Sequence, residues 1–240
     1  TDTTEAPPPP EMIVGVARAL SPLVRRILAP NPGIMTGPGT NTYLVGIDEI
    51  AVIDPGPADD EHLDAIAGCG GDRIPRIVLT PTHQDHPPGA EVLAFASPDG
   101  VESAVVHTVI TDGFQIEATE FRLTAIHTPG HASNHLCYKL EEEHTLFSGD
   151  HIMEGSTVVI RPPDGDMATY LDSLERLRGI RLRKIAPGHG HVIEDPKAVL
   201  EHYVTHRAER EAAIVAALQA AGTAVVMSTH DLAVAHLACD

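Results

Sequence analysis

Short apolar runs separated by polar turns dominate the chain up to the last turn before residue 196. The β-rich runs Val24–Leu28, Thr42–Val45 and Ile50–Ile53 predict strands, and only Gly46–Glu49 separates the last two, which indicates a hairpin. Further strands are predicted later in the chain, at Ser103–His107, Phe114–Thr119, Phe121–Ile126, His135–Leu140, Thr145–Phe147 and Ile185–Ala186.

Helices are predicted at Ala58–Ala67, Met167–Leu177 and Pro196–Ala220, with one or two helical turns at Ala90–Phe95. The order is several strands and then a helix, and it occurs in two successive halves. This favours two β-layers with helices outside them in one α/β domain, rather than a doubly wound parallel sheet.

Three segments are expected along the chain. Residues 1–11 are polar and end in a run of prolines, which predicts a disordered or extended tail. The α/β domain is predicted to span residues 12–206. Residues 207–240 are expected to form a shortened C-terminal helical extension.

Composition narrows the classes of partner. The 240 residues include 34 acidic and 16 basic ones, and the net charge of −18 repels nucleic-acid phosphates and anionic membranes while it attracts metal cations. Cys69, Cys137 and Cys239 are far apart, so no disulfide framework is expected. We find no signal peptide or membrane-spanning run and expect a soluble, cytoplasmic protein.

A cluster of metal-binding residue types follows the apolar run Ile77–Leu79. His83, Asp85 and His86 lie within four residues, in what the pattern indicates is a loop between a strand and a helix. Two imidazoles and a carboxylate suit zinc and also tolerate manganese or iron. The alternative is a loop whose histidines only cap a helix.

Three more loops have the same design. Each follows a predicted strand, and each carries a histidine or aspartate beside glycine or proline: His131, Asp150 and His189. Loops at one end of a sheet are where a scaffold collects functional side chains. The four loops together therefore predict a metal site.

The motifs P-T-H-x-D-H, H-T-P-G-H, the Ser-Gly-Asp after a strand, and P-G-H-G resemble, in order, those of the metallo-β-lactamase superfamily. The run His127–Tyr138 is most similar to the glyoxalase II group and the β-lactamase-like-protein-2 endoribonuclease group. The resemblance covers roughly residues 12–206. It implies an αββα sandwich with a dinuclear zinc site at the edge of the sheets.

By position, the resemblance implies two sets of ligands. His83 and His131 would bind the first zinc, Asp85, His86 and His189 the second, and Asp150 would bridge the two. The family has another first-site histidine where this chain has Pro81, which has no donor atom. One zinc or two therefore both remain open, and the second site is the more complete.

The resemblance also implies zinc-dependent hydrolysis. Zinc supplies water ionised near neutral pH and stabilises a developing oxyanion, while Asp85 orients that water or takes its proton. The leading hypothesis is that the zinc-bound hydroxide attacks a small-molecule acyl substrate, which is a thioester, a lactone or a lactam. The alternatives are endoribonuclease activity at the same centre, and a degenerate, non-catalytic binding protein, which Pro81 would favour.

Other polar residues have simpler interpretations beside the functional ones. Asp54 is either an acceptor for a ligand imidazole or a cap of its own turn. Cys137 is expected to be a buried apolar thiol. The five basic residues between positions 176 and 184 either guide an anionic substrate or form a solvated helix end, which we favour. For four histidines near the predicted ligands, structural or surface roles are favoured over substrate contact: His127, His135, His151 and His191.

Overall fold

Two β-sheets form the centre of the computed structural model, which describes residues 11–80, 91–95 and 106–220. In these ranges seven strands form the first sheet, in chain order: β1 (Arg18–Ala19), β2 (Val24–Leu28), β3 (Asn41–Val45), β4 (Ala51–Ile53), β5 (Arg76–Val78), β6 (Glu91–Ala94) and β7 (Thr108–Val109). Five strands form the second: β8 (Gln115–Glu117), β9 (Arg122–His127), β10 (Leu136–Leu140), β11 (Thr145–Gly149) and β12 (Lys184–Pro187).

Both sheets are mixed. In the first sheet β1 to β4 pair antiparallel and β4 to β7 pair parallel. In the second sheet β8 to β11 pair antiparallel, and β12 is added parallel to β11. Parallel neighbours end at the same edge, so β4 with β5, and β11 with β12, bring their following loops together.

Among the described residues, three α-helices cover the sheets: α1 (Asp60–Gly70), α2 (Met167–Arg178) and α3 (Pro196–Ala220), with a short 3-10 helix at Gly71–Arg73 after α1. Aspartates begin the first two helices. Asp59 accepts from the backbone N–H of His62, and Asp166 accepts from that of Thr169, so each cap satisfies an N–H group that has no partner within its helix.

Alternate residues of the strands face different layers. Tyr43 and Val45 pack into the core between the sheets, whereas Leu44 joins the apolar cluster that includes Ile66 of α1. On the far side, Cys137 of β10 belongs to a third cluster, with side chains of α2 and α3. The structure is therefore an αββα sandwich, as predicted.

The prediction of helical turns at Ala90–Phe95 is wrong, because Glu91–Ala94 forms strand β6 between β5 and β7. Val92 packs in the cluster that contacts α1 and Leu93 in the core between the sheets, so neighbouring residues face opposite sides of the sheet. A short apolar run buried on both faces does not distinguish helix from strand by periodicity. The predicted strand at Ser103–His107 lies largely outside the described residues, and the strand there begins at Thr108.

The hairpin and the three long helices are confirmed, and Tyr43 pairs with Ile53 in the hairpin. The predicted boundary between residues 206 and 207 falls inside α3. Residues 1–10 of the predicted tail lie outside the described ranges. None of the described helices has both the length and the apolar character to cross a membrane.

The turn before His131 requires a glycine. Gly130 has φ of +133°, and a Cβ there would lie 2.3 Å from the Cα of Tyr170 in α2. We expect Gly130→Ala to lower the free energy of unfolding by roughly 3 kcal/mol, through backbone strain and overpacking. Urea denaturation measures this.

Gly68→Ala is the matched control, because it lies inside α1 with no atom within 4 Å of its Cβ position. It should stabilise the protein by about 0.5 kcal/mol. Equal stability of wild type and Gly130→Ala would contradict the close packing of α2 on this turn.

Candidate metal centre

Three of the predicted ligands meet where strands of the second sheet end. Asp150 directly follows β11, His189 is the second residue after β12, and His131 lies in the turn after β9. The Nε2 atom of His189 is 3.2 Å from Asp150 Oδ1, and that of His131 is 3.8 Å from Asp150 Oδ2. One carboxylate thus has an imidazole at each oxygen.

Backbone carbonyls orient both imidazoles. His131 Nδ1 lies 2.8 Å from the oxygen of Val159, and His189 Nδ1 lies 3.1 Å from that of Gly39. A carbonyl only accepts, so each Nδ1 must carry the proton and donate it. In the neutral ring this leaves the Nε2 lone pair free to bind a metal ion. A hydrogen bond from Nδ1 to a carbonyl commonly fixes this tautomer in metal-binding histidines.

The local charge favours a cation. Burial opposes protonation of His189, but the hydrogen bond to Asp150 and its negative charge outweigh this effect, so the pKa of His189 is raised from its ordinary value. The carboxylate that stabilises a proton on this ring would equally attract a metal ion.

Asn41, at the start of β3 in the other sheet, fixes the loop that carries His189. Its side-chain amide donates to the carbonyls of Pro187 and Gly190, both at 2.9 Å, and its backbone N–H donates to Gly188 at 2.7 Å. The buried hydroxyl of Tyr43 also donates to Pro187, at 2.7 Å. The His189 loop is therefore fastened to the first sheet.

The end of β5 is held against the Asp150 loop. Thr80 donates its N–H and hydroxyl to the two carboxylate oxygens of Asp54, at 2.9 and 2.8 Å. Tyr138 donates to the carbonyl of Leu79 at 2.7 Å. Gly149 packs so closely here that a Cβ would lie 2.2 Å from Thr80 Oγ1. His83 comes only three residues after this junction.

Helices α2 and α3 support the loop that orients His131. Tyr170 of α2 donates to the carbonyl of His151 at 2.9 Å. From α3, the Tyr203 hydroxyl lies 2.7 Å from the oxygen of Ser156, and Arg207 Nη2 donates to Val158 at 2.5 Å. Val158 precedes the residue whose carbonyl contacts His131, so α3 acts on that imidazole through the loop.

His135 and His151, near the predicted ligands, are buried. His135 Nδ1 is 2.9 Å from the Thr128 hydroxyl, and the His151 ring lies between those of His135 and Tyr170. Burial holds the pKa of His151 well below its ordinary value. These contacts fit the structural role that we favoured.

Cys137 is buried, as expected, and burial raises the pKa of its thiol to about 12. It is therefore not a thiolate nucleophile near neutral pH. Asp54 caps Thr80 across the sheet, which neither interpretation from the sequence had anticipated.

One end of the basic run lies away from His189. Lys184 begins β12, whereas His189 follows its end. Acidic neighbours pair with much of the run: Arg176 with Asp112, Arg178 with Glu175 and Glu201, and Lys184 with Glu194. These exposed pairs fit the solvated helix end that we favoured.

His83, Asp85 and His86 lie outside the described residues, as does Pro81. Within the described ranges, no group of three or more His, Cys, Asp or Glu side chains is already arranged to hold a metal ion. A complete site at Asp150 would therefore need ligands from the segment between β5 and β6.

Comparison with known proteins identifies the class. The sequence model of the metallo-β-lactamase superfamily matches residues 88–189, which include His131, Asp150 and His189. The β-lactamase-like protein 2 homolog of Caenorhabditis elegans is 33% identical over 217 residues, which are 83% of this chain and 72% of that protein. The chain belongs to the metallo-β-lactamase superfamily.

Two further similarities bear on activity and fold. The chain is 33% identical over 212 residues to an atrochrysone carboxyl ACP thioesterase of Cryptosporiopsis, covering 83% of this chain but only 64% of that protein's length. A metallo-β-lactamase family protein from Thermus thermophilus has the same fold, with a TM-score of 0.70 and 24% identity over 83% of this chain and 84% of that one.

The contact between Asp54 and Thr80 can be tested with two variants. Asp54→Ala removes both acceptors and should lower the free energy of unfolding by roughly 2 kcal/mol, because two donors lose their partners. We also expect at least a tenfold loss of zinc affinity, measured by competition with a chromophoric chelator.

Asp54→Asn is the control, since its amide can meet both groups of Thr80 and asparagine tolerates the positive φ of 50° at this position. It should keep zinc affinity within about threefold of wild type. Equal losses in both variants would instead assign the effect to the charge of Asp54.

Proposed function

We propose that this protein is a metal-dependent hydrolase of acyl substrates, and that His131, Asp150 and His189 bind zinc together with His83, Asp85 and His86. The observation that carries the proposal is the pair of Nε2 atoms facing the two oxygens of Asp150. Both rings are oriented by carbonyls through their other nitrogen. Imidazole and carboxylate groups are the donor set that zinc prefers.

The chain's own residues prepare this chemistry before any metal binds. Val159 and Gly39 fix the tautomers of His131 and His189, and Asp150 supplies the charge between them. Asp85 is proposed to orient the attacking water and accept its proton. Bound zinc would supply acidification of water and stabilisation of the developing oxyanion.

A thioester with an apolar acyl group is the substrate that we favour. Ile34 and Met35 are 103% and 64% exposed in the loop that ends at Gly39, the residue whose carbonyl contacts His189. Val159, which contacts His131 through its carbonyl, is 48% exposed. Exposed apolar residues on both supporting loops favour an apolar ligand. The thioesterase among the relatives points the same way.

Endoribonuclease activity has less support. The net charge of −18 repels a phosphate backbone, and acidic side chains pair with Arg176, Arg178 and Lys184 of the basic run. Glyoxalase II-like activity would use the same centre and is distinguished from other thioester hydrolysis only by its substrate.

Metal content tests the ligand set. We expect one equivalent of zinc in the purified wild-type protein and two in Pro81→His, because the substitution returns a donor to the incomplete site. Elemental mass spectrometry measures both. Two equivalents in each protein would show that another group replaces the missing histidine. No metal in either would leave the non-catalytic binding protein as the better hypothesis.

Activity should follow the same centre. We expect the zinc-loaded protein to hydrolyse at least one of a panel containing an acyl thioester, a lactone and a β-lactam. Asp150→Asn should lower kcat/KM at least about a hundredfold. Glu194→Gln, on the exposed Lys184 pair, is the control and should leave it unchanged. A panel without turnover by the metal-loaded protein would contradict the proposal.

A further inference from the structure

A cavity lies beside the loop that supports His131. Its volume is about 280 Å³, and it is bounded on one side by Met153, Gly155, Ser156 and Thr157 and on the other by α3. This is near the lower end of the range for ligand pockets, which suits one charged group rather than a whole cofactor.

The surface of this cavity is mostly apolar, and its polar side chains include several hydrogen-bond donors. His202 and His206 are one helical turn apart, with ring centroids separated by 5.7 Å, and Arg207 follows them. Ser156 and Thr157 also line the cavity. Although the chain has 34 acidic residues, none of the described residues that line this cavity is acidic.

The acceptors of the loop are already used. Tyr203 occupies the carbonyls of Met153 and Ser156, and Arg207 occupies that of Val158. Among the described residues, by contrast, the backbone N–H groups of 155–157 donate to no protein atom. The groups left for a ligand are therefore mainly donors, which is the arrangement that binds an anion.

Arg207 adds a fixed positive charge. Its guanidinium lies over the ring of Tyr170, 5.7 Å from the centroid, and within the described residues it has no carboxylate partner. A tetrahedral anion can accept hydrogen bonds from several directions at once, so it could contact donors of the loop and of α3 together.

We propose that the cavity between residues 153–157 and α3 binds a phosphate group. The same loop reaches Val159, which orients His131, so the phosphate would lie beside the catalytic centre and outside it. One source is the phosphate of a phosphopantetheine-bearing thioester, an assignment that rests on the proposed function. The other is free phosphate, which would need no such substrate.

Direct binding is measured first, by calorimetric titration of inorganic phosphate into the zinc-loaded protein. The variant His202→Ala/His206→Ala should weaken binding at least about tenfold, since two donors to the anion are removed. Asp150→Asn is the control for phosphate bound at the metal centre and should bind as wild type does. No binding, or binding lost only in Asp150→Asn, would overturn the proposal.

The source is then identified with S-octanoyl-pantetheine and S-octanoyl-4′-phosphopantetheine. If the cavity holds the substrate's phosphate, the double histidine variant should raise KM about tenfold for the phosphorylated thioester alone, with kcat unchanged. Equal KM changes, together with phosphate binding in the titration, would assign the cavity to free phosphate. If neither thioester is hydrolysed, the proposed function fails while the titration still decides whether the cavity binds phosphate.

Discussion

The close approach of Gly149 to Thr80 is the contact on which the site depends. It joins the end of β11 in one sheet to the end of β5 in the other, and a Cβ at residue 149 would lie 2.2 Å from the threonine hydroxyl oxygen. Asp150 follows on one side of the contact and the segment containing His83 on the other. Only a glycine, here at φ of +48°, lets both chains meet so closely.

Two buried tyrosines hold these strand ends in place by hydrogen bonds. Tyr43 and Tyr138 both lie in the apolar core between the sheets, yet each donates its hydroxyl to a carbonyl at a strand end of the opposite sheet: Pro187, the last residue of β12, or Leu79, the residue after β5. The aromatic rings bury apolar surface between the sheets, and the hydroxyl groups fix the positions of the two strand ends. The same residues therefore stabilise the sandwich and position the loops that follow β5 and β12.

Local pattern was enough to predict the layers from the sequence and to single out three residues that the structure brings together. The strand runs, the helix of 25 residues at Pro196–Ala220, and the loops of His131, Asp150 and His189 all have short-range signals. Asn41 had none, because its partners Pro187 and Gly190 are 146 and 149 residues away. Strand β6 was mistaken for a helix because burial on both faces removes the alternation that marks a strand.

The sequence also contained no signal that side chains of α3 support the loop that orients His131. Tyr203 and Arg207 reach across to carbonyls at Ser156 and Val158, and the next carbonyl, Val159, orients His131. A ligand that binds between α3 and this loop would lie against the same loop. One loop thus orients the His131 imidazole through Val159 and lines the cavity through Ser156 and Thr157.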